Sequence, residues 1–396
     1  MRLVVTVFIV LLFVCGADAQ NLAIINATVY ASPQASAQRG VTVLIHGGKI
    51  AGIGKHLRVP EGTNTLPCNG CVVLAGFWNA HVHFMEPKWD DAAHQPAAKL
   101  TGQIEAMLTR SGFTTVVDTG SDGENTIALR HRIESGEIAG PRIYTAGSPI
   151  FPANALPYYL DNVPATLRAK LGQPETPVEA TAFVDKNADL GTDLVKLFTG
   201  SIVKPNKITP MAVSIAQAAA NEAHHRGQLV FVHPSNLEGT KVAVESGVDV
   251  LAHAPEEISG IDEPLLHRMV AQHMTMIPTL KLFSQDDNIA GIRGLVSRFH
   301  SMGGRLVYGT DTGFLSDYDQ GEEFRQLALS GLDFREVLAM LTTAPTELFH
   351  APGGKVERGM NGDLTILTAD PAAGDPVAFT KVLYTIRGGR VIFRAK

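Results

Sequence analysis

Residues 194–199 read Leu194-Val195-Lys196-Leu197-Phe198-Thr199 and residues 229–233 read Leu229-Val230-Phe231-Val232-His233, with the helix-like stretch 209–226 between them. Two short apolar, β-branched runs around a longer amphipathic segment read as strand, helix, strand. The same texture extends in both directions. Further runs lie at 73–83 (interrupted), 114–118, 142–146, 248–253, 274–279 and 305–309, and helix-like stretches at 99–111 and 333–348. Eight strands alternating with helices predict an α/β chain whose residues 76–355 form a (β/α)8 TIM barrel. No repeat of 20 to 50 residues points to a solenoid.

On either side the texture becomes purely β-like. Short stretches at 22–30, 41–46, 49–53 and 72–74 are separated by turns such as Gly47-Gly48, and similar stretches return at 363–367, 382–387 and 390–393. The two ends, 20–75 and 356–396, are expected to fold together.

The chain has 396 residues, 45% of them apolar and 18% charged, which excludes a disordered or fibrous protein. With 33 Lys and Arg against 39 Asp and Glu, and no basic block, a nucleic-acid partner is not expected. A small-molecule partner is. Arg2, the apolar run 3–14 and Ala17-Asp18-Ala19 read as a secretory signal peptide over residues 1–19, too short to span a bilayer. Cys15 follows Phe13-Val14, a poor context for lipidation. The mature protein is therefore expected to be exported, periplasmic or extracellular, without membrane insertion; a homo-oligomer is left open. Cleavage leaves Cys68-Asn69-Gly70-Cys71, where Asn-Gly supplies a turn and an oxidising compartment favours a small structural disulfide. Two cysteines alone make a poor zinc site.

In a barrel of this kind chemistry sits where the strands end, so the polar residue closing each run is the informative one. His81-Val82-His83 places two imidazoles on the same side of a strand, able to clamp one metal ion. Lys196 lies inside an apolar strand, where an ammonium must be paired or chemically altered; carbamylation by carbon dioxide would make it an anionic bridge between two metals. His233 and His253 close successive runs in register with the first pair. Asp311, in Gly309-Thr310-Asp311-Thr312-Gly313, closes the eighth and can ligate a metal and accept a proton. His224 and His225 sit at a helix end, where they complement its negative pole. The stretch 148–162, with Tyr158-Tyr159, should overhang the site as a lid, a substrate wall or a packed connection.

These residues resemble the amidohydrolase superfamily, and within it the imidazolonepropionase-related and metal-dependent prolidase-like branch. The resemblance runs from Gly48-Lys49-Ile50 through Gly112-Phe113-Thr114-Thr115 and Gly140-Pro141-Arg142 to Gly388-Gly389-Arg390-Val391. It implies a metal-binding barrel with a small β-sandwich domain built from both chain ends. It further implies that His81, His83 and Asp311 hold one metal, His233 and His253 hold the second, and carbamylated Lys196 bridges them. Zinc is the default ion, with manganese, iron or cobalt compatible with the same donors.

The expected reaction is attack of a metal-bridging hydroxide on the carbonyl of an amide in a dipeptide, N-acyl amino acid or cyclic amide, with Asp311 moving the proton to the leaving nitrogen. A lactonase or other ester hydrolase is the alternative; mononuclear deaminases and imidazolone hydrolases generally lack the bridging lysine. A non-catalytic binding protein would have lost ligands, and all six are present. One departure stands out. Prolidase-like relatives often carry a second histidine shortly after the fifth-strand ligand, whereas His233 is followed by Pro234-Ser235-Asn236.

Overall fold

The computed structural model describes residues 21–160, 163 and 165–396, so the expected signal peptide lies outside the described residues. Parallel strands fill the middle of the chain. Phe77–Val82, Phe113–Asp118 and Arg142–Thr145 form one parallel sheet; Leu194–Phe198, Leu229–His233, Val250–Leu251, Thr275–Met276 and Arg305–Leu306 form another. Parallel bridges join the two sheets at both margins, Ile150 with Leu197 and Val82 with Thr312. Main-chain bonds reinforce them: Ile150 N donates to Lys196 O at 2.9 Å and Ala80 N to Tyr308 O at 2.8 Å.

The side chains inside this arrangement form one apolar cluster. Trp78, Val117, Ala146, Leu194, Phe231, Val250, Ile277 and Val307 all belong to it, one from each of the eight strands or the residue directly after it. Tyr144 stacks on Trp78 at 5.6 Å, and Phe349 closes over both at 4.9 and 5.5 Å. A second, larger cluster lies between strands and helices, and includes Leu100 and Ile104 of helix Ala97–Met107 and Leu295 and Phe299 of helix Ile289–Ser301. Strands buried on both faces, such as Leu194–Phe198 and Leu229–His233, read as apolar runs, which is why they were visible in the sequence.

Strands from both chain regions share one sheet. Val72–Ala75 pairs in parallel with Leu22–Val29 and antiparallel with Leu364–Leu367, which leads on to Val382–Arg387 and Arg390–Arg394. The sheet has its own apolar core, into which Cys68 and Cys71 are buried as a disulfide with Cα atoms 5.2 Å apart. Asn64–Pro67, a mostly exposed strand without apolar alternation, was not anticipated.

Two further differences concern the strand ends. Helix Val213–His225 begins later than the pattern from 209 predicts, because Lys207–Pro210 instead pairs antiparallel with Gly200–Lys204. Asn206, at φ 61°, makes the turn of this hairpin. Pro234-Ser235-Asn236 is a capping turn: Asn236 accepts Gly239 N at 3.0 Å to start helix Leu237–Glu245, and Ser235 Oγ donates to Gly200 O at 3.0 Å. Among the described residues no helix is long and apolar enough to cross a membrane.

Candidate metal centre

His81 is the fifth residue of strand Phe77–Val82 and is wholly buried; His83, two residues on, points to the same side. The loop after the eighth strand is tied to this pair through the backbone. Asp311 N donates to His81 O at 2.9 Å and His83 N to Thr312 O at 2.8 Å. Gly313 allows that approach: it sits at φ 103°, and a Cβ there would lie 2.0 Å from His83 O. The result is that Asp311 Oδ1 stands 3.0 Å from His83 Nε2 and 3.3 Å from His81 Nε2.

Tautomers follow from the outer partners. His83 Nδ1 lies 2.6 Å from Gly120 O and must donate to it, which leaves a lone pair on Nε2 in the neutral ring, facing a carboxylate. Burial opposes charge on His83, but Asp311 and Asp118 outweigh it and raise its pKa. Two acceptors facing each other at 3.0 Å need a proton or a cation between them. Gly120 is itself set by Asp118, whose buried carboxylate accepts Gly120 N at 3.2 Å, Ser121 Oγ at 2.6 Å and Thr145 Oγ1 at 2.7 Å.

The fifth and sixth strands bring the other imidazoles. Strand register sets Phe231 beside Lys196 and Val232 beside Leu251, so His233 and His253 emerge on adjoining strands; their rings are 4.6 Å apart and His253 is 4.4 Å from His81. Thr279 Oγ1 donates to Pro278 O at 2.9 Å, so it accepts from His253 Nδ1 at 2.8 Å and turns the Nε2 lone pair inward. Burial, with Lys196 and Asp311 acting in opposite senses, holds His81 and His233 down to about 3, and burial together with His81 and His233 lowers His253 well below its ordinary value. All three are neutral ligand-form imidazoles.

Lys196 is 2% exposed and has no carboxylate within ion-pair distance among the described residues. Burial brings its amine down to about 7, against the pull of Asp311.

The six residues singled out by sequence thus meet in one place. The fit to a cation rests on what these atoms lack. Buried polar atoms are nearly always hydrogen-bonded, yet His81 Nδ1 and Nε2, His233 Nε2 and Asp311 Oδ1 have no hydrogen-bond partner among the described residues. Ligand atoms of His81, His253 and Asp311 lie within 4.8 Å of one another. Imidazole and carboxylate donors converging without satisfying each other suit a divalent transition metal.

Above this floor opens a cavity of about 760 Å³. Ser148, Phe151, Tyr158 and Tyr159 of the 148–162 stretch line it, making that stretch a wall, and the unanticipated hairpin adds Ile202 and Asn206. His224 and His225 are far more exposed and pair locally with Asp249 and Glu222. Sequence reading missed Asp118, Thr279 and Glu256; the first two close the second and seventh runs, so the strand-end rule already pointed to them.

A model of the amidohydrolase family matches residues 72–392, which includes every residue of the candidate centre. The chain belongs to the amidohydrolase family. Solved structures of similar fold include a Xaa-Pro dipeptidase with bound methionine in the active site, at TM-score 0.81 and 22% identity over 95% of this chain and 100% of that one. Another is A. niger ochratoxinase, at TM-score 0.76 and 18% identity over 95% and 96% of the two chains. Among curated proteins, an allantoinase of Salmonella choleraesuis (strain SC-B67) is 34% identical over 91 residues, 22% of this chain and only 19% of that protein's length.

Proposed function

We propose that this amidohydrolase is an exported, metal-dependent hydrolase that cleaves a carbon–nitrogen amide bond in a small molecule. The observation that carries the reading is the set of unpartnered, buried donor atoms of His81, His233 and Asp311 at the ends of the parallel strands. The fold supports it. We read the eight parallel strands as a closed (β/α)8 barrel, because one cluster takes a side chain from each and the two sheets are bridged at both margins. The sheet shared by the two chain ends is read as a separate small domain, and the composition of residues 1–19 supports export.

His81, His83 and Asp311 would hold one ion and His233 and His253 a second, with Lys196 as a bridging carbamate. An amine held at about 7 is substantially neutral near that pH, the state able to add carbon dioxide. Bound divalent metal supplies Lewis acidity toward a carbonyl oxygen and lowers the pKa of coordinated water. The protein supplies the rest. Gly120 and Thr279 fix the tautomers of His83 and His253; the aromatic walls give a substrate an apolar bed; Asp311, opening on the cavity, is placed to take a proton from the attacking water and pass it to the leaving nitrogen.

The test combines metal content with turnover. Purified protein should hold close to two ions per chain, and Lys196→Ala should lower both occupancy and rate. Asp311→Asn should cut the rate on the order of 10²-fold in protein that still holds metal. In a screen of dipeptides, N-acyl amino acids, cyclic amides, lactones and esters, an amide should have the highest kcat/KM. A lactone or ester as best substrate, with amides inert, refutes the amide assignment.

A further inference from the structure

The cavity above the metal centre has a distinct chemical character. Its walls are aromatic and apolar. Phe198 stacks on Phe151 at 4.2 Å and on His233 at 4.8 Å, Tyr159 meets Phe314 edge-on at 5.4 Å, and Phe283 stands edge-on to His253 at 6.3 Å. Its charges are nearly all negative. Apart from the centre itself, and among the described residues, Asp90, Asp91, Asp122, Glu256 and Asp286 line it against a single ammonium, that of Lys170. Lys170 is committed: it donates to Asp122 at 2.8 and 3.0 Å and to Glu124 at 3.0 Å. Arg168, between the lining Leu167 and Lys170, turns its guanidinium toward the carbonyls of Leu160 and Val163.

Glu256 and Asp286, on the wall shared with Leu282 and Phe283, have no cation within ion-pair distance among the described residues. Burial, with the charges of Glu257 and Asp286, holds Glu256 up to about 7. A carboxylate in that condition is short of a counter-charge. Tyr159 lines the same cavity, and burial together with the charges of Asp311 and Glu256 raises its pKa, which sets it between the floor and the acidic wall.

We propose that the substrate of this site is an amide with an aromatic or apolar body and a positive charge seated against Glu256 and Asp286, and with no carboxylate beside the scissile bond. This rests on the hydrolase reading above and narrows it. A ligand carboxylate seated against Glu256 and Asp286 would meet two carboxyl groups with no cation beside them among the described residues, whereas an ammonium gains both their charge and the faces of the aromatic rings. Dipeptides and N-acyl amino acids, which place a carboxylate on the leaving amine, are the disfavoured members of the amide class.

The test measures binding and turnover separately, on metal-loaded, full-length protein. Phenylalaninamide, N-acetylphenylalaninamide and N-acetylphenylalanine are a cation, a neutral molecule and an anion built on one aromatic core. Calorimetric titration at low salt should give Kd values rising in that order, the cation binding at least about tenfold more tightly than the anion and the gap narrowing as salt is added. Glu256→Gln combined with Asp286→Asn should shrink the advantage of cation over neutral ligand to within about twofold. An anion that binds as well as the cation, or a cation that does not bind, overturns the inference; the wild-type series alone decides this if the variant misfolds. The expected binding order with no C–N cleavage in any amide screened would instead refute the hydrolase reading alone.

Discussion

Glu323 offers a sharp test of the electrostatics behind the site. Its side chain is fully buried in helix Gly321–Leu329, where one oxygen accepts Lys281 N at 2.6 Å and the other, Oε1, has no partner among the described residues. Burial raises its pKa from the ordinary 4.5 to about 8, the backbone N–H groups of Lys281 and Leu280 only partly opposing this. The sign follows from proton counts. Below about pH 4.5 the carboxyl is protonated in both folded and unfolded chains and contributes nothing to pH dependence. Between there and about pH 8 the unfolded chain gives up its proton while the folded one keeps it, so stability falls with rising pH.

At about 1.4 kcal/mol per pH unit the loss approaches about 5 kcal/mol once pH exceeds the folded value, and is constant beyond. Glu323→Gln retains an acceptor for Lys281 N and cannot ionise. Its own amide adds an offset that does not vary with pH. The assay is urea unfolding of both proteins across pH 5 to 9. The variant should gain steadily on the wild type as pH rises, by several kcal/mol in all. A difference that is the same at pH 5 and pH 9 would show that Glu323 is not a strained, proton-holding acid, and the burial argument would fail with it.

Two further predictions address the metal centre. Thr279→Val keeps the shape but removes the acceptor that orients His253, so metal affinity, read by competition with a chelator, should weaken by about 10- to 100-fold; unchanged affinity would remove Thr279 from the ligand shell. Gly313→Ala must push a methyl group against the His83 carbonyl at φ 103°, so the melting temperature should drop by several degrees and metal occupancy with it, and wild-type values for both would contradict the close approach.

What could be read in the sequence was what depends on a residue and its immediate neighbours. Leu194–Phe198 and Leu229–His233 were visible because strands buried on both faces carry apolar residues at every position, and Lys196 stood out as the exception. His81 and His83 were visible for the same reason, being polar where the pattern demands apolar. Hairpin Gly200–Lys204 with Lys207–Pro210 was not, because its exposed, lysine-bearing strands have the texture of a helix start. Nor were Asp118 and Glu256 singled out. Asp118 closes the second run and stands two residues before Gly120, so only its bond with Thr145 is a fact about space; the importance of Glu256 comes wholly from space, from having Asp286 and, among the described residues, no cation near it.

The pairing of Leu364–Leu367 with Val72–Ala75 has a consequence for how the chain matures. Nearly three hundred residues separate the two partners, and the whole run of alternating strands and helices lies between them. A chain that emerges from its N-terminus, at a ribosome or through a translocation pore, must hold Val72–Ala75 with one edge unfilled until almost everything else has arrived. That edge carries Val72, Val73 and Leu74, a segment prone to joining a neighbouring chain. The small sheet is thus the last part able to finish. Interrupting synthesis before Leu364 would leave a folded centre attached to an open, adhesive border.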